Sequence, residues 1–286
     1  MAQFSPSDAA LEGFRLTKEH PGVMLAWSAV YFGGILLIAL AMMATLGPQF
    51  IALARKGELL NANPQEVAGL LASSWPAFLL VMVMTALLMS IIAAGVMRLV
   101  LRPTEHGFAH LRLGKDELRL TVANLICIVI YALWGIVGIV FTAGASQSGA
   151  VGGFVAALIA FIVAMWIGVR LSLLLPTVFV TGRISLGLAW EKTKGRFWSL
   201  LGMIVLAVIF YVIVYILFSV ISFAIVELSG GQAAMQDLGS LTPVAAIATM
   251  LTLVMQLLLQ VLQIVMIYGP FATAYRAIEA DAAEAS

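Results

Sequence analysis

Between Arg119 and Arg170 the chain runs for fifty residues, Leu120 to Val169, without a charged side chain. A water-soluble domain does not hide a stretch of that length, whereas a bilayer core about 30 Å thick asks for about 20 apolar residues per helix. The stretch is long enough for two crossings. Ala143-Gly144-Ala145-Ser146-Gln147-Ser148-Gly149 divides it, and these small and polar residues read as a turn. The rest of the chain agrees: 63% of its 286 residues are hydrophobic and 10% charged, against about 25% charged in an ordinary soluble domain. Its mean hydropathy is +1.09. The expected fold is all-α, a polytopic integral membrane protein forming one membrane domain over 1–286, with short interfacial amphipathic helices. Six transmembrane helices are expected at about 23–46, 75–101, 120–142, 151–175, 198–226 and 244–268.

The connections carry their own signals. Ser5-Pro6-Ser7-Asp8 supplies an N-cap serine, a proline at the first helical position and an acid in the first turn. In the helix it starts, Leu11, Phe14 and Thr17 recur opposite Glu12, Arg15 and Glu19, which predicts a helix lying flat on the membrane surface. The apolar run that follows is far longer than the about 7–15 residues of a signal-peptide core, so it reads as an uncleaved first span. Gly47-Pro48 closes that span, and Asn63-Pro64-Gln65-Glu66 repeats the cap, proline and acid pattern, predicting two short helices before Trp75. Pro103 stops span 2, and Gly269-Pro270 breaks span 6. After span 4, Leu171 to Val180 is apolar, interrupted by Pro176 and too short to cross again. It is expected to lie in the inner interface and turn the chain toward span 5. A lone cysteine, Cys127, excludes an intrachain disulfide.

Charge placement orients the spans. Of fifteen Lys and Arg, thirteen fall on one side: Arg15, Lys18, Arg98, Arg102, Arg112, Lys115, Arg119, Arg170, Arg183, Lys192, Lys194, Arg196 and Arg276. Only Arg55 and Lys56 fall on the other. By the positive-inside rule both termini are cytoplasmic, which an even number of spans requires. An approximate repeat relates Gly95–Thr104 to Gly168–Thr177, with five identities in ten positions, and suggests a reused hairpin.

Three groups of side chains are candidates for chemistry. Arg98 and Arg170 each precede a proline by five or six residues at the cytoplasmic end of a span. With Arg102, Lys192, Lys194 and Arg196 they are candidate contacts for anionic lipid headgroups, because guanidinium binds phosphate bidentately. The alternative for Arg170 is simple anchoring: nineteen apolar residues, Val151 to Val169, cover about 28 Å, so its side chain reaches the interface and snorkels. Gln256, Gln260 and Gln263, at i, i+4 and i+7, form a polar stripe on span 6 that either bonds to neighbouring helices or lines a solute path. His106 and His110 have the i, i+4 spacing of a metal pair, but there is no third ligand nearby, so they read as surface histidines and no metal or other cofactor is expected.

No span holds Asp or Glu in its middle, as a proton- or cation-coupled carrier would. Phosphate-loop, GxSxG and HExxH patterns are also absent, so enzymatic activity is not expected. Leu188-Ala189-Trp190, Lys194 and Phe197-Trp198, between a span ending in Arg170 and the next span, give an order that resembles the bacterial YciC-like inner-membrane proteins and the membrane domain that accompanies glycerophosphodiester phosphodiesterases. The phosphodiesterase His-Arg motif is missing, since His20, His106 and His110 precede Pro, Gly and Leu. No catalytic residue is carried over. The resemblance implies a six-helix protein of the bacterial inner membrane tied to lipid or envelope physiology. The expectation is a non-enzymatic membrane protein that organises lipid, or a partner, through a basic cytoplasmic face. Anionic lipids are its expected partners and nucleic acid is not. The alternative is a small-solute transporter or channel using the glutamine stripe.

Overall fold

A computed structural model describes residues 5–45, 47, 64–105, 107–231 and 242–285. They form α1 (Pro6–Glu19), α2 (Pro21–Thr45), α3 (Pro64–Leu101), a 3-10 turn (Phe108–His110), α4 (Lys115–Ser146), α5 (Ala150–Leu171), α6 (Leu174–Thr181), α7 (Leu186–Thr193), α8 (Phe197–Leu228) and α9 (Pro243–Ala285). No strand occurs among the described residues. Six segments are long and apolar enough to cross a bilayer: Pro21–Thr45, Ser73–Leu101, Phe108–Ser146, Ala150–Thr181, Phe197–Leu228 and Pro243–Glu284. These are the six expected spans, and the chain is an all-α polytopic membrane protein. Side chains such as Ile139 (71% exposed), Phe154 (70%) and Phe223 (67%) stand out from α4, α5 and α8. Surfaces that apolar belong against lipid, where helices satisfy their own backbone.

The last span is the hub. α9 packs against α1, α2, α3, α6 and α8. The chain then continues sideways from α3 to α4 and from α4 to α5, while α5 and α8 touch only thinly. α1 and the C-terminal half of α9 bury a shared face, so both ends of the chain lie at the same end of the bundle. A Cβ on Gly13 would stand 2.8 Å from the Met266 Cα, which marks the closest approach of the two helices. Ala9, Ala10 and Leu16 are buried on the same side of α1.

Four expectations change. α1 starts at the predicted cap, with the Asp8 N–H donating to Ser5 Oγ, but the buried face is Ala9, Glu12, Gly13 and Leu16, and Leu11 is 45% exposed. The helix therefore packs on α9 mainly through small residues, as helices in membranes do, and Leu11 points away from that contact. Glu12 is buried on this face and accepts from Arg15 at 2.9 Å. Second, the run after Arg170 is covered by protein on nearly every side. Leu173, Leu174, Thr177, Val178 and Phe179 of this region are buried at 0–1% exposure, so α6 is folded into the bundle's end. A helix apolar on every side has no face to offer water. Third, Pro64 does not begin a separate short helix. It opens α3, which continues unbroken for 38 residues with Pro76 inside it. Asn63, Arg55, Lys56 and Leu46, like Asp237 of the last loop, lie outside the described residues. Fourth, Gly269-Pro270 does not break the last span: α9 runs on through Pro270 from Pro243 to Ala285, as membrane helices tolerate where neighbours pack around the proline. Of the two histidines, His110 sits in the 3-10 turn. His106 lies outside the described residues.

Candidate functional site

Basic residues collect at the end of the bundle that holds both termini, and they fall into two environments. Arg98, in the last turn of α3, is 2% exposed. Its guanidinium donates to Glu117 Oε1 and, at 2.9 Å, to the His110 carbonyl, with Glu105 Oε2 at 3.9 Å from Nε. Glu117 is buried at the start of α4, where its other oxygen accepts from the Gly114 N–H at 2.9 Å and caps the helix. The turn between them has left-handed backbone at Ala109 (φ 49°) and His110 (φ 58°). Such conformations persist only when tied down on several sides. Here the Ala109 carbonyl accepts from Trp27 Nε1–H at 2.8 Å, the His110 carbonyl accepts from Arg98, and the His110 ring Nδ1 lies 3.0 Å from the Glu105 carbonyl oxygen.

Arg102, one turn further, donates to the Phe179 carbonyl at 3.2 Å and stacks 4.7 Å from the Phe179 ring, with Glu105 and Asp116 at 3.4 and 3.6 Å. These contacts pin α6 to the end of α3. Arg98 is therefore not a headgroup contact: protein groups enclose and neutralise it. Arg102 is half-buried and committed mainly to protein. Glu105, Asp116, Glu117 and Phe179 complete this clasp. Among them only the acidic start Asp116-Glu117 of α4 carries a local signal, that of a helix N-terminus.

Arg170 is different. It lies at the end of α5 with its guanidinium 5.8 Å from the Trp166 ring and 5.4 Å from the Trp190 ring, the two indoles meeting edge to face at 5.1 Å. Its Nη1 donates to Thr193 Oγ1 at 3.3 Å. Its Nε is buried without a hydrogen-bond partner, and among the described residues no carboxylate lies within ion-pairing distance. Both tryptophans remain substantially exposed, at 41% and 38%. Indoles beside a basic residue at a span end are the ordinary furniture of a lipid headgroup region.

On the connection to α8, Lys194 is exposed. Lys192 pairs with Glu279 and stands 4.9 Å over the Tyr275 ring, while Arg196 pairs with Asp281 at 3.8 Å. Burial lowers the Lys192 pKa from its ordinary value. The two acids come from the far end of α9, and no local sequence signal joins them to their partners. Both pairs are partly open to water, so Glu279→Gln and Asp281→Asn are each expected to change thermal stability by less than about 1 kcal/mol. A melting curve of the purified protein checks this.

The glutamines do not act as one stripe. Gln256 is exposed toward the lipid-facing surface, whereas Gln260 Nε2 donates to Gln263 Oε1 at 3.0 Å. Gln263 borders a cavity between α8 and α9 whose other walls include Met203, Ile204, Ala207, Val208 and Phe271. Apolar walls of this kind do not conduct polar solutes. In a Cys127→Ser background, Gln260→Cys is therefore expected to react slowly with a membrane-impermeant thiol reagent. Rapid labelling would reveal a water path along α9.

No group of three or more His, Cys, Asp or Glu side chains placed to hold a metal ion occurs among the described residues. Fold and site together define a six-span α-helical membrane protein with a basic, aromatic-lined end. Comparison with family models, with curated proteins and with solved structures gives no match.

Proposed function

We propose that the chain is a non-enzymatic protein of the bacterial cytoplasmic membrane, with both termini cytoplasmic, that holds and organises anionic phospholipid at its basic end. The observation carrying this reading is Arg170: a cation between two partly exposed tryptophans, with no carboxylate within ion-pairing distance among the described residues. Arg98 provides the contrast. Where an arginine serves the fold, the chain supplies Glu117 to neutralise it. At Arg170 the matching anion is a phosphate from the bilayer, with exposed Lys194 on the connection to α8 adding a second charge. The thirteen-to-two partition of Lys and Arg supports the cytoplasmic placement, and the resemblance to YciC-like inner-membrane proteins supports the bacterial one.

The test is lipid co-purification. Arg170→Ala combined with Lys194→Ala is expected to strip anionic phospholipid from the detergent-purified protein while leaving its melting temperature within a few degrees of the parent. Unchanged anionic lipid content would sink the proposal.

A further inference from the structure

Two cavities lie against α8 in the half of the span nearest the basic end. One, of about 350 Å³, is bounded by α4, α5 and α8 through Tyr131, Ala164, Gly168, Val169, Leu201 and Val205. The other, of about 480 Å³, lies between α8 and α9 and includes Met203, Ala207, Tyr211 and Phe271. Ile204 and Val208 line both, so the two meet along one edge of α8. Their volumes fall in the range of ligand sites, about 300–1,000 Å³, and their walls are overwhelmingly apolar.

Depth identifies the occupant. The first cavity follows α8 from Leu201 to Ile209 and the second from Met203 to Val212. At 1.5 Å per residue these are about 12 and 14 Å, close to the about 15 Å of hydrocarbon in one leaflet. The first starts directly below the basic residues, and the second begins at Met203, less than a turn further along α8. Val169, which lines the first, is followed by Arg170, and Leu201 is preceded by Arg196, the N-cap of α8, and by Lys194. With Arg196 paired to Asp281, Arg170 and Lys194 supply the positive charge at the rim above an apolar interior, an arrangement that suits an anionic phospholipid. The thin packing between α5 and α8 leaves a lateral way in from the bilayer. On the far side of the first cavity the wall is tight: a Cβ on Gly168 would come 3.0 Å from the Tyr131 hydroxyl.

We propose that this pair of cavities takes the two acyl chains of one diacyl phospholipid whose phosphate is held at Arg170 and Lys194. The inference rests on the lipid reading above and adds to it that the ligand is recognised by its chains as well as its charge. Two chain-deep lobes sharing Ile204 and Val208 suit two chains leaving one glycerol.

The experiment is native mass spectrometry of the full chain in detergent, titrated with dioleoyl phosphatidylglycerol, with its single-chain lyso form and with glycerol phosphate. Val208, 53% exposed, lines both lobes and tolerates enlargement without disturbing the core. The diacyl lipid is expected to bind at least about tenfold more tightly than the lyso form, and glycerol phosphate not measurably. Val208→Trp is expected to bring the diacyl affinity down to the lyso level without changing lyso binding. Val205→Phe, a smaller filling of the first lobe alone, is expected to go part of the way and is read if the tryptophan variant does not fold. Arg170→Ala with Lys194→Ala is expected to weaken both lipids by about tenfold. If the filling variants bind diacyl lipid as the parent does while the charge variant does not, the chain slots are refuted and the headgroup site stands. If the filling variants abolish binding and the charge variant does not, the phosphate contact is refuted along with the proposal. Equal binding of all three probes would mark a free-phosphate site and overturn it as well.

Discussion

Glu117→Ala is expected to destabilise the protein by about 3–5 kcal/mol, the cost of leaving one charge of a buried pair alone. Arg98 is 2% exposed, and without Glu117 it keeps the His110 carbonyl, a carboxylate at 3.9 Å and the Phe179 ring at 5.8 Å, none of which replaces a close counter-charge. The same substitution removes the cap on the Gly114 N–H, loosening the first turn of α4. Replacing both partners with apolar residues, Arg98→Met with Glu117→Leu, is expected to cost far less than the sum of the single changes, because no charge is then stranded. A double-mutant cycle on thermal unfolding in lipid nanodiscs measures the difference. Additive single effects would show that the pair is not coupled.

Trp27→Ala is the second large effect, at about 3–5 kcal/mol for emptying a fully buried indole site. Trp27 is 0% exposed, and its ring fills the space that glycine leaves at position 95: a Cβ there would stand 3.1 Å from Cζ2. Its Nε1–H also holds the Ala109 carbonyl, one of the ties on the left-handed turn. Trp27→Phe keeps much of the packing but orphans that carbonyl and is expected to lose about 1–3 kcal/mol. Gly95→Ala presses on the same ring and on Leu111 Cδ2, at 2.9 Å from the added carbon. Chemical unfolding of the three variants ranks them, with alanine at position 27 the weakest.

The six spans were legible because hydrophobicity over some twenty residues is a collective signal that no single misreading disturbs. The cap of α1 was legible because it is local, from Ser5 to Asp8. Its packing face was not, since amphipathic reasoning ranks Leu11 and Phe14 above Ala9 and Gly13. Inside a membrane, close backbone approach rewards the small residues. The protein cover over α6 was not foreseen although its composition gave warning: from Leu174 to Val180 the only polar side chain is Thr177, too little for a water-facing side. Counting apolar residues placed Arg98 and Arg170 at the ends of their helices, as α3 and α5 show, but position along a helix does not say which way a side chain turns. That depended on Glu117, nineteen positions from Arg98 across a turn, and on Trp190, twenty positions from Arg170. The mouth of the proposed lipid site was half visible, in Arg170 and Lys194. Its walls were not, because nothing in an apolar run distinguishes a packed seam from an open one.

The contact of Gly13 with Met266 has a consequence for biogenesis. Among the described helices α1 stands first in chain order and α9 last, so the seat of α1 on α9 forms only after the helices between them are made. The Arg276 guanidinium, donating to the Val100 carbonyl at 3.1 Å, likewise ties the end of α3 to a residue synthesised long after it. The pairings of α2 with α3, α3 with α4 and α4 with α5 need no later helix, whereas those of α1, α2 and α3 with α9 are completed last. Until α9 is in place, Gly13 of α1 lacks the surface it packs on, while α8 already offers one to Ala9 and Ala10.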